Sequence, residues 1–113
     1  MQLWNPGDKD SVFILEFKPE ANGSIILSNG EQLTWSNLPV TDIKTIKINT
    51  RLWVVEGYNA EGKKIGIYNK YFSGNFFKIP RNTFDPELGD YVGATMTVSG
   101  ADEVSIKYDY YYL

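Results

Sequence analysis

The sequence predicts an all-β fold in which antiparallel strands form a β-sandwich. Roughly eight or nine short segments are apolar or alternate apolar and polar residues with a period of two, and turn-forming Asn, Gly and Pro residues separate them. No stretch of about a dozen residues repeats its apolar residues with helical spacing. We therefore expect a jelly roll, with another Greek-key sandwich as the alternative.

The first predicted strands lie on either side of a strong turn signal. Val12–Phe17 is a short apolar run that ends before Lys18-Pro19. Ser24–Ser28 and Glu31–Trp35 flank Asn29-Gly30, a dipeptide that favours a two-residue hairpin. We expect a type I′ turn there, because Asn and Gly tolerate the positive φ that both central positions need.

The middle of the chain predicts a meander of antiparallel strands. Its strands are Ile43–Asn49, Leu52–Tyr58, Lys64–Tyr68 and Asn75–Ile79, with a tight turn over Asn59-Ala60-Glu61-Gly62. Trp53 stands between two aliphatic residues in the second of these strands. Since a Trp in a sandwich strand is more often buried than used as a ligand platform, we place it in the core.

The last part of the chain has the clearest alternation. Tyr91–Val98 and Val104–Tyr112 both alternate with a period of two, as expected of strands with one buried face and one solvated face. The segment after Asp85-Pro86 is suited to about one helical turn, because Asp can cap a helix and Pro fits its first position.

Length and composition indicate one ordered domain. A chain of 113 residues can bury a two-layer core without disulfides or metals. We predict a single domain over 1–113, in which residues 1–10 form an arm without strands, since Asn5-Pro6-Gly7 does not suit one.

Charge and composition exclude several classes of partner. The net charge is −3 and the chain has no cluster of Lys and Arg, so neither a nucleic acid nor an anionic membrane surface is an expected partner. The N-terminal residues lack the pattern of a signal peptide, and no apolar run is long enough to cross a bilayer. We expect a virion-surface or extracellular protein that arrives by lysis, by assembly, or as part of a longer chain.

The residue types argue against catalysis. The sequence contains no His and no Cys, and it has no G-x-S-x-G nucleophile motif. We predict that the protein is not an enzyme and needs no cofactor. A structural calcium ion is left open: Asp85, Glu87 and Asp90 are weak candidate ligands, although solvated loop carboxylates are the favoured interpretation.

Sugar binding is the ligand class that the residues permit best. Sugar rings stack on aromatic side chains, and amide side chains bond the hydroxyl groups. Tyr68 to Phe72 lies in a segment rich in turn residues and is predicted to be an exposed aromatic patch. The candidate glycan-binding residues are Tyr58, Tyr68, Tyr71, Phe72, Asn69 and Asn75.

Both ends of the chain carry aromatic residues that could meet protein partners. Trp4 lies on the irregular arm, where a large ring either folds back on its own domain or docks on a neighbour. Tyr110, Tyr111 and Tyr112 either complete the last strand or contact another subunit. We keep all four as candidate interface residues.

About half of the chain resembles the galactose-binding-like jelly rolls found in bacterial carbohydrate-active enzymes and phage virion proteins. The likeness rests on Gly57-Tyr58-Asn59-Ala60-Glu61-Gly62-Lys63, Lys64–Tyr68, Phe76-Phe77-Lys78-Ile79-Pro80 and Tyr91–Val98. It implies a non-catalytic structural or binding module of a larger assembly. The expected role is a capsid decoration or fibre protein on a phage surface, with protein subunits as partners and glycan adhesion as an added property. A carbohydrate-binding module of a glycoside hydrolase is the alternative.

Overall fold

The computed structural model describes residues 1–109, and it confirms an all-β fold with antiparallel strands. The predicted interface residues Tyr110, Tyr111 and Tyr112 lie outside the described residues. Within that range one 3-10 turn, Asn69–Tyr71, accompanies the strands. The strands are β1 (Gln2–Leu3), β2 (Phe13–Leu27), β3 (Gln32–Trp35), β4 (Thr45–Asn49), β5 (Val54–Tyr58), β6 (Lys64–Ile67), β7 (Phe72–Gly74), β8 (Thr83–Asp85), β9 (Asp90–Val92) and β10 (Ala94–Tyr108).

Two long strands form the centre of the main sheet. β2 and β10 each contain 15 residues and pair with each other from Phe13 and Tyr108 to Leu27 and Met96. The order of strands is β1-β10-β2-β4-β5-β6, while β3 also pairs with β2 and β7 pairs with β3. One edge of β2 therefore has two partners, β4 along its first part and β3 along its last part.

The predicted strand end at Lys18-Pro19 is wrong, because β2 continues through it. Residues 18–22 lie between the part of β2 that pairs with β4 and the part that pairs with β3. On that edge the missing N–H of Pro19 removes no ladder hydrogen bond, so the proline is tolerated.

The predicted gap between the last two strands is also absent. β10 runs through it, and its pairing with β2 shifts register between Ser99 and Ala101 and between Asp102 and Ser105. Gly100 and Glu103 have positive φ angles of 76° and 51°. These bulges bend the strand where the sequence pattern breaks, and they keep it continuous.

The two predicted hairpin turns are present, but the first is not of type I′. In the Asn29-Gly30 pair only Gly30 has positive φ, at 94°. Its N–H donates to the Leu27 carbonyl at 3.0 Å, so the turn spans Leu27 to Gly30 and ends in a left-handed residue. The Asn59–Gly62 turn is built in the same way, with Gly62 at φ 76° and an N–H···O distance of 3.0 Å.

Three further predictions differ from the structure. Gln2 and Leu3 form a strand with Thr95 and Ala94, so the first ten residues are not free of strands; burial of the Leu3 side chain draws this segment to the sheet. The predicted strand Asn75–Ile79 is reduced to one bridge at Ile79. A turn between β8 and β9 replaces the helical turn expected after Asp85-Pro86.

The core is one cluster of buried apolar residues from several strands of this sheet and the segments that join them, and it includes stacked aromatic rings. The Trp35 ring stacks on Phe17 with centroids 5.1 Å apart, and its Nε1–H donates to the Glu20 carbonyl at 2.9 Å. The buried apolar residues are Leu3, Phe13, Leu15, Phe17, Ile25, Leu27, Leu33, Trp35, Leu38, Ile43, Ile46, Ile48, Val55, Phe77, Ile79 and Met96.

In the described range no helix has the length and apolarity needed to cross a membrane.

Candidate functional site

The most exposed tryptophan lies on the loop between β4 and β5, Thr50–Trp53, which we call the Trp53 loop. Asn49 pairs with Val54 across the ends of these strands, so the loop closes a hairpin. Leu52 and Trp53 are 65% and 68% exposed. The prediction that Trp53 lies in a strand and in the core is therefore wrong.

Side-chain amides hold this loop from both sides. Asn49 Oδ1 accepts hydrogen bonds from the N–H groups of Arg51 at 3.1 Å and Leu52 at 3.2 Å. Asn69 Oδ1 accepts from the Val55 N–H, and Asn69 Nδ2 donates to the Trp53 carbonyl, both at 2.8 Å. Asn69 was predicted to bind a glycan, but here its amide fixes the position of the Trp53 loop.

Trp53 has an unusual backbone conformation for a large residue. Its φ is 56°, in the left-handed region that costs an L-residue about 1–2 kcal/mol. The indole ring lies nearly parallel to Phe76, with an interplanar angle of 7° and centroids 6.5 Å apart. The loop thus presents a Trp ring to solvent in a defined orientation. Asn49, four residues before Trp53 and able to form an Asx turn, was the sequence signal for this loop.

The predicted glycan-binding aromatics are half buried rather than displayed. Tyr68 covers Gly57, where an added Cβ would collide with the Tyr68 ring. The Tyr68 and Tyr71 rings lie 6.0 Å apart, and both side chains pack against the core. Phe72 contacts the buried Trp35 ring at a centroid distance of 5.5 Å. The expected exposed patch over Tyr68 to Phe72 is therefore part of the packing.

The other two predicted ligands lie apart from each other. Tyr58 ends β5 and is half buried, next to Thr45 and Lys64 on the neighbouring strands. Asn75 is exposed, with its Nδ2 3.5 Å from the Glu31 carboxylate. The six predicted residues do not share one open surface.

A second candidate site is the cleft between the N-terminal arm and β9, which we call the Trp4 cleft. Its volume is about 660 Å³, within the range of small-molecule sites. It is lined by residues 4–8, Asp10, residues 80–83, Asp90 and Tyr91. Trp4 is 49% exposed and Tyr91 58%, so both rings present open surface here.

The buried Asn5 side chain gives the arm its shape. Its Nδ2 lies within 3.1 Å of the Lys9 carbonyl and 3.2 Å of the Ile79 carbonyl, while its Oδ1 accepts from the Gly7 N–H. Asn5 and Asn82 also exchange hydrogen bonds, each at 2.9 Å. The wall of the cleft is therefore fixed by the fold.

Charged groups line the mouth of the same cleft. Arg81 donates from its backbone N–H to Asp10 Oδ1 at 3.1 Å and from Nη1 to the Asp8 carbonyl at 3.2 Å. Its Nε lies 4.0 Å from Asp10 Oδ1. A guanidinium has five N–H donors, so these contacts leave others directed to solvent or ligand.

The hairpin of β8 and β9 extends beyond one side of this cleft. Its strands pair only with each other, and none of its residues is buried. Phe84 and Tyr91 are cross-strand partners whose rings meet edge to face at 5.5 Å. Leu88, in the turn, is 69% exposed.

The calcium candidates do not form a cluster. Asp85 Oδ1 accepts from the N–H groups of Glu87 at 2.9 Å and Leu88 at 3.4 Å, so it stabilises the turn. Asp90 is opposite Asp85 in the hairpin. Within residues 1–109 no group of three or more acidic side chains is arranged to hold a metal ion.

Comparison with known proteins gives no relative. No family model, curated protein or solved structure matches this chain. The Trp53 loop and the Trp4 cleft are the two candidate functional surfaces.

Proposed function

We propose that this chain is a non-catalytic structural module of a larger assembly, which docks on a protein partner through the Trp53 loop. The observation that carries the proposal is Trp53, 68% exposed at a positive φ of 56°. Strained residues persist where the surrounding structure holds them, and they concentrate at functional positions. Four hydrogen bonds with the side-chain amides of Asn49 and Asn69 hold the Trp53 loop, and one of them is donated by Asn69 Nδ2 to the Trp53 carbonyl.

The energetics of association suit this loop. A Trp side chain can bury about 150–250 Å². Trp53 is 68% exposed, so about 100–170 Å² remains to be buried on docking, a gross gain of roughly 2.5–4 kcal/mol at about 25 cal/mol per Å². Leu52 beside it adds apolar area. Because the loop is already ordered, docking loses little conformational entropy, and Trp is enriched among residues that dominate interface energies.

The kind of assembly is proposed from the sequence. Resemblance to galactose-binding-like jelly rolls favours a phage virion surface protein, either a capsid decoration or a fibre component, with glycan adhesion as an added property. The absence of His and Cys from the sequence supports a non-catalytic role. The antiparallel all-β architecture is compatible with the sandwich and jelly-roll forms, which stay predictions.

Fractionation of the native source tests the proposal. The polypeptide is followed by mass spectrometry through a density gradient, and we expect it to sediment with particles that contain other protein subunits. Recovery only as a free monomer would contradict the proposal. Recovery only within a large secreted enzyme would favour the alternative, a carbohydrate-binding module of a glycoside hydrolase.

A pair of variants then tests the docking surface. We expect Trp53→Ser to lower the amount of protein in the particle fraction at least tenfold. Leu88→Ser is the control, because it removes another apolar side chain, 69% exposed, that lies in neither candidate site, and it should leave particle association unchanged. Equal recovery of the two variants would exclude the Trp53 loop as the contact.

A further inference from the structure

We infer that the Trp4 cleft is a binding site for a neutral saccharide. The inference rests on the glycan adhesion included in the proposed function, but the site is separate from the Trp53 loop, so it does not depend on the proposed docking. Three properties of the cleft support it: exposed aromatic rings, planar polar groups beside them, and an excess of carboxylates.

The aromatic surface comes from Trp4 and Tyr91. Both rings are about half exposed although they lie in a cleft of about 660 Å³. The apolar C–H faces of a sugar ring stack on such surfaces, and an amphipathic ring is suited to a site that is partly wet. The volume is large enough for one or two sugar units.

The polar partners for hydroxyl groups are Arg81 and Asp10. Among the described residues, Arg81 contacts the Asp10 carboxylate at Oδ1, which leaves Oδ2 to accept from a ligand hydroxyl. The Arg81 guanidinium has donors beyond the one bonded to the Asp8 carbonyl. A carboxylate acceptor beside a guanidinium donor matches adjacent hydroxyl groups, each of which donates and accepts.

The charge of the cleft selects among sugars. Asp10 and Asp90 line it with Arg81 as the one cation among the lining residues, and Arg81 already lies beside Asp10, so a ligand carboxylate or sulfate would meet net repulsion. Uronates, sialylated and sulfated glycans are therefore disfavoured. Neutral hexose or pentose polymers are the expected class.

The cleft is preorganised for binding. The buried Asn5 amide fixes the arm, and the Tyr108 hydroxyl donates to the Trp4 carbonyl at 2.9 Å. These contacts within the protein hold Trp4 in position before a ligand binds. Little ordering is required on binding, which favours measurable affinity for a small ligand.

Affinity electrophoresis of the full chain tests the inference. Native gels are cast with galactan, galactomannan, xylan or mixed-linkage β-glucan as neutral polymers, and with polygalacturonate as the anionic one. We expect retardation in at least one neutral gel, no retardation in polygalacturonate, and little change in 0.5 M salt, since neutral ligands are not bound through ion pairs. Failure in every neutral gel, or retardation by polygalacturonate alone, would overturn the inference.

Variants locate the site. Trp4→Ala should weaken retention at least tenfold, Trp4→Phe should retain part of it, and Trp53→Ser should match the parent protein. Tyr91 lies on the hairpin that has no buried residue, so Tyr91→Ala should fold normally and weaken retention even where Trp4→Ala fails to fold. Undiminished retention by a folded Tyr91→Ala variant would place binding elsewhere. Loss of retention without loss of particle association would separate this site from the Trp53 loop.

Discussion

Trp35 and Trp53 occupy similar sequence settings and opposite structural ones. Each follows a Leu within two residues and lies in a segment predicted to be a strand. Trp35 is 3% exposed, stacked on Phe17 and bonded through Nε1, whereas Trp53 is 68% exposed on a hairpin loop.

The difference lies in the neighbouring strands rather than in the residue type. Trp35 ends β3, which has β2 on one edge and β7 on the other. Trp53 directly precedes β5, where the chain must reverse direction between paired strands. Packing therefore stabilises the first Trp, and a network of loop hydrogen bonds holds the second.

The largest expected effect comes from the buried ring. Trp35→Ala should lower the free energy of unfolding by about 3–5 kcal/mol, because it removes a core ring and leaves a cavity. Urea denaturation followed by far-UV circular dichroism measures this loss. A loss below 1 kcal/mol would show that the two tryptophans do not differ as the structure indicates.

A second substitution tests the close packing of the same ring. An added Cβ at Gly23 would collide with Trp35 Cζ2 and with the Ser99 carbonyl oxygen. Gly23→Ala should therefore cost about 1–3 kcal/mol, measured by the same denaturation. The double variant with Trp35→Leu should cost less than the sum of the single variants, and strict additivity would contradict the contact.

A smaller effect on stability is expected from removing the Asn69 hydrogen bonds that hold the Trp53 loop. Asn69→Ala removes the partners of the Val55 N–H and the Trp53 carbonyl, so we expect a loss of about 1–2 kcal/mol. Hydrogen exchange of the Val55 amide should accelerate with it. Asn75→Ala is the matched control, since Asn75 is exposed and makes one long contact of 3.5 Å. Equal effects of the two variants would contradict the role given to Asn69.

Trp53 itself should contribute little to stability. Trp53→Gly relieves about 1–2 kcal/mol of backbone strain but loses the ring contact with Phe76, about 0.5–1.5 kcal/mol, and adds chain entropy. We expect a net change within about 1 kcal/mol. Trp53→Ala keeps the strain without the ring, so thermal denaturation should show it to be less stable than Trp53→Gly. The reverse order would argue against the strain.

The smallest effect concerns an ion pair between β5 and β6, the strands that follow this loop. Lys64 Nζ lies 2.9 Å from Glu56 Oε2, and this hydrogen bond, with the charge of Glu56, raises the pKa of Lys64 above its ordinary value of 10.5. A raised folded-state pKa stabilises the fold below pH 10.5, and the contribution disappears as the pH rises through the folded-state pKa. The stability difference between the parent and Glu56→Gln should shrink in that range. A constant difference would contradict the ion pair.

The sequence predicted the elements whose signals are local. The all-β class, the hairpin at Asn29-Gly30 and the turn at Asn59–Gly62 depend on residues near one another in the chain, and all are confirmed. The type I′ geometry is wrong because Gly30 alone takes positive φ. The continuity of β2 through Pro19 depends on which strands lie beside it, and strand neighbours are not encoded locally.

The candidate sites were less accessible to sequence reasoning. The Trp4 cleft joins the arm to residues 80–83 and to β9, segments that are far apart in the chain. The sequence predicts Trp4 as a candidate interface residue but does not connect it with its neighbours Arg81 and Tyr91. The Asn69 side chain is an amide, a group that commonly binds sugar hydroxyls. Its structural role is evident only from its hydrogen bonds to the Val55 N–H and the Trp53 carbonyl.

The pairing of β2 with β10 has a kinetic consequence. It joins Phe13 to Tyr108, near opposite ends of the described chain, and such non-local sheets fold in milliseconds to seconds because distant segments must meet first. During synthesis, β2 cannot gain this partner until the segment up to Tyr108 has left the ribosome. Until then one edge of a 15-residue strand is unpaired. Such an edge can pair with strands of other chains, so the nascent protein needs a low concentration of such chains or a chaperone to avoid aggregation.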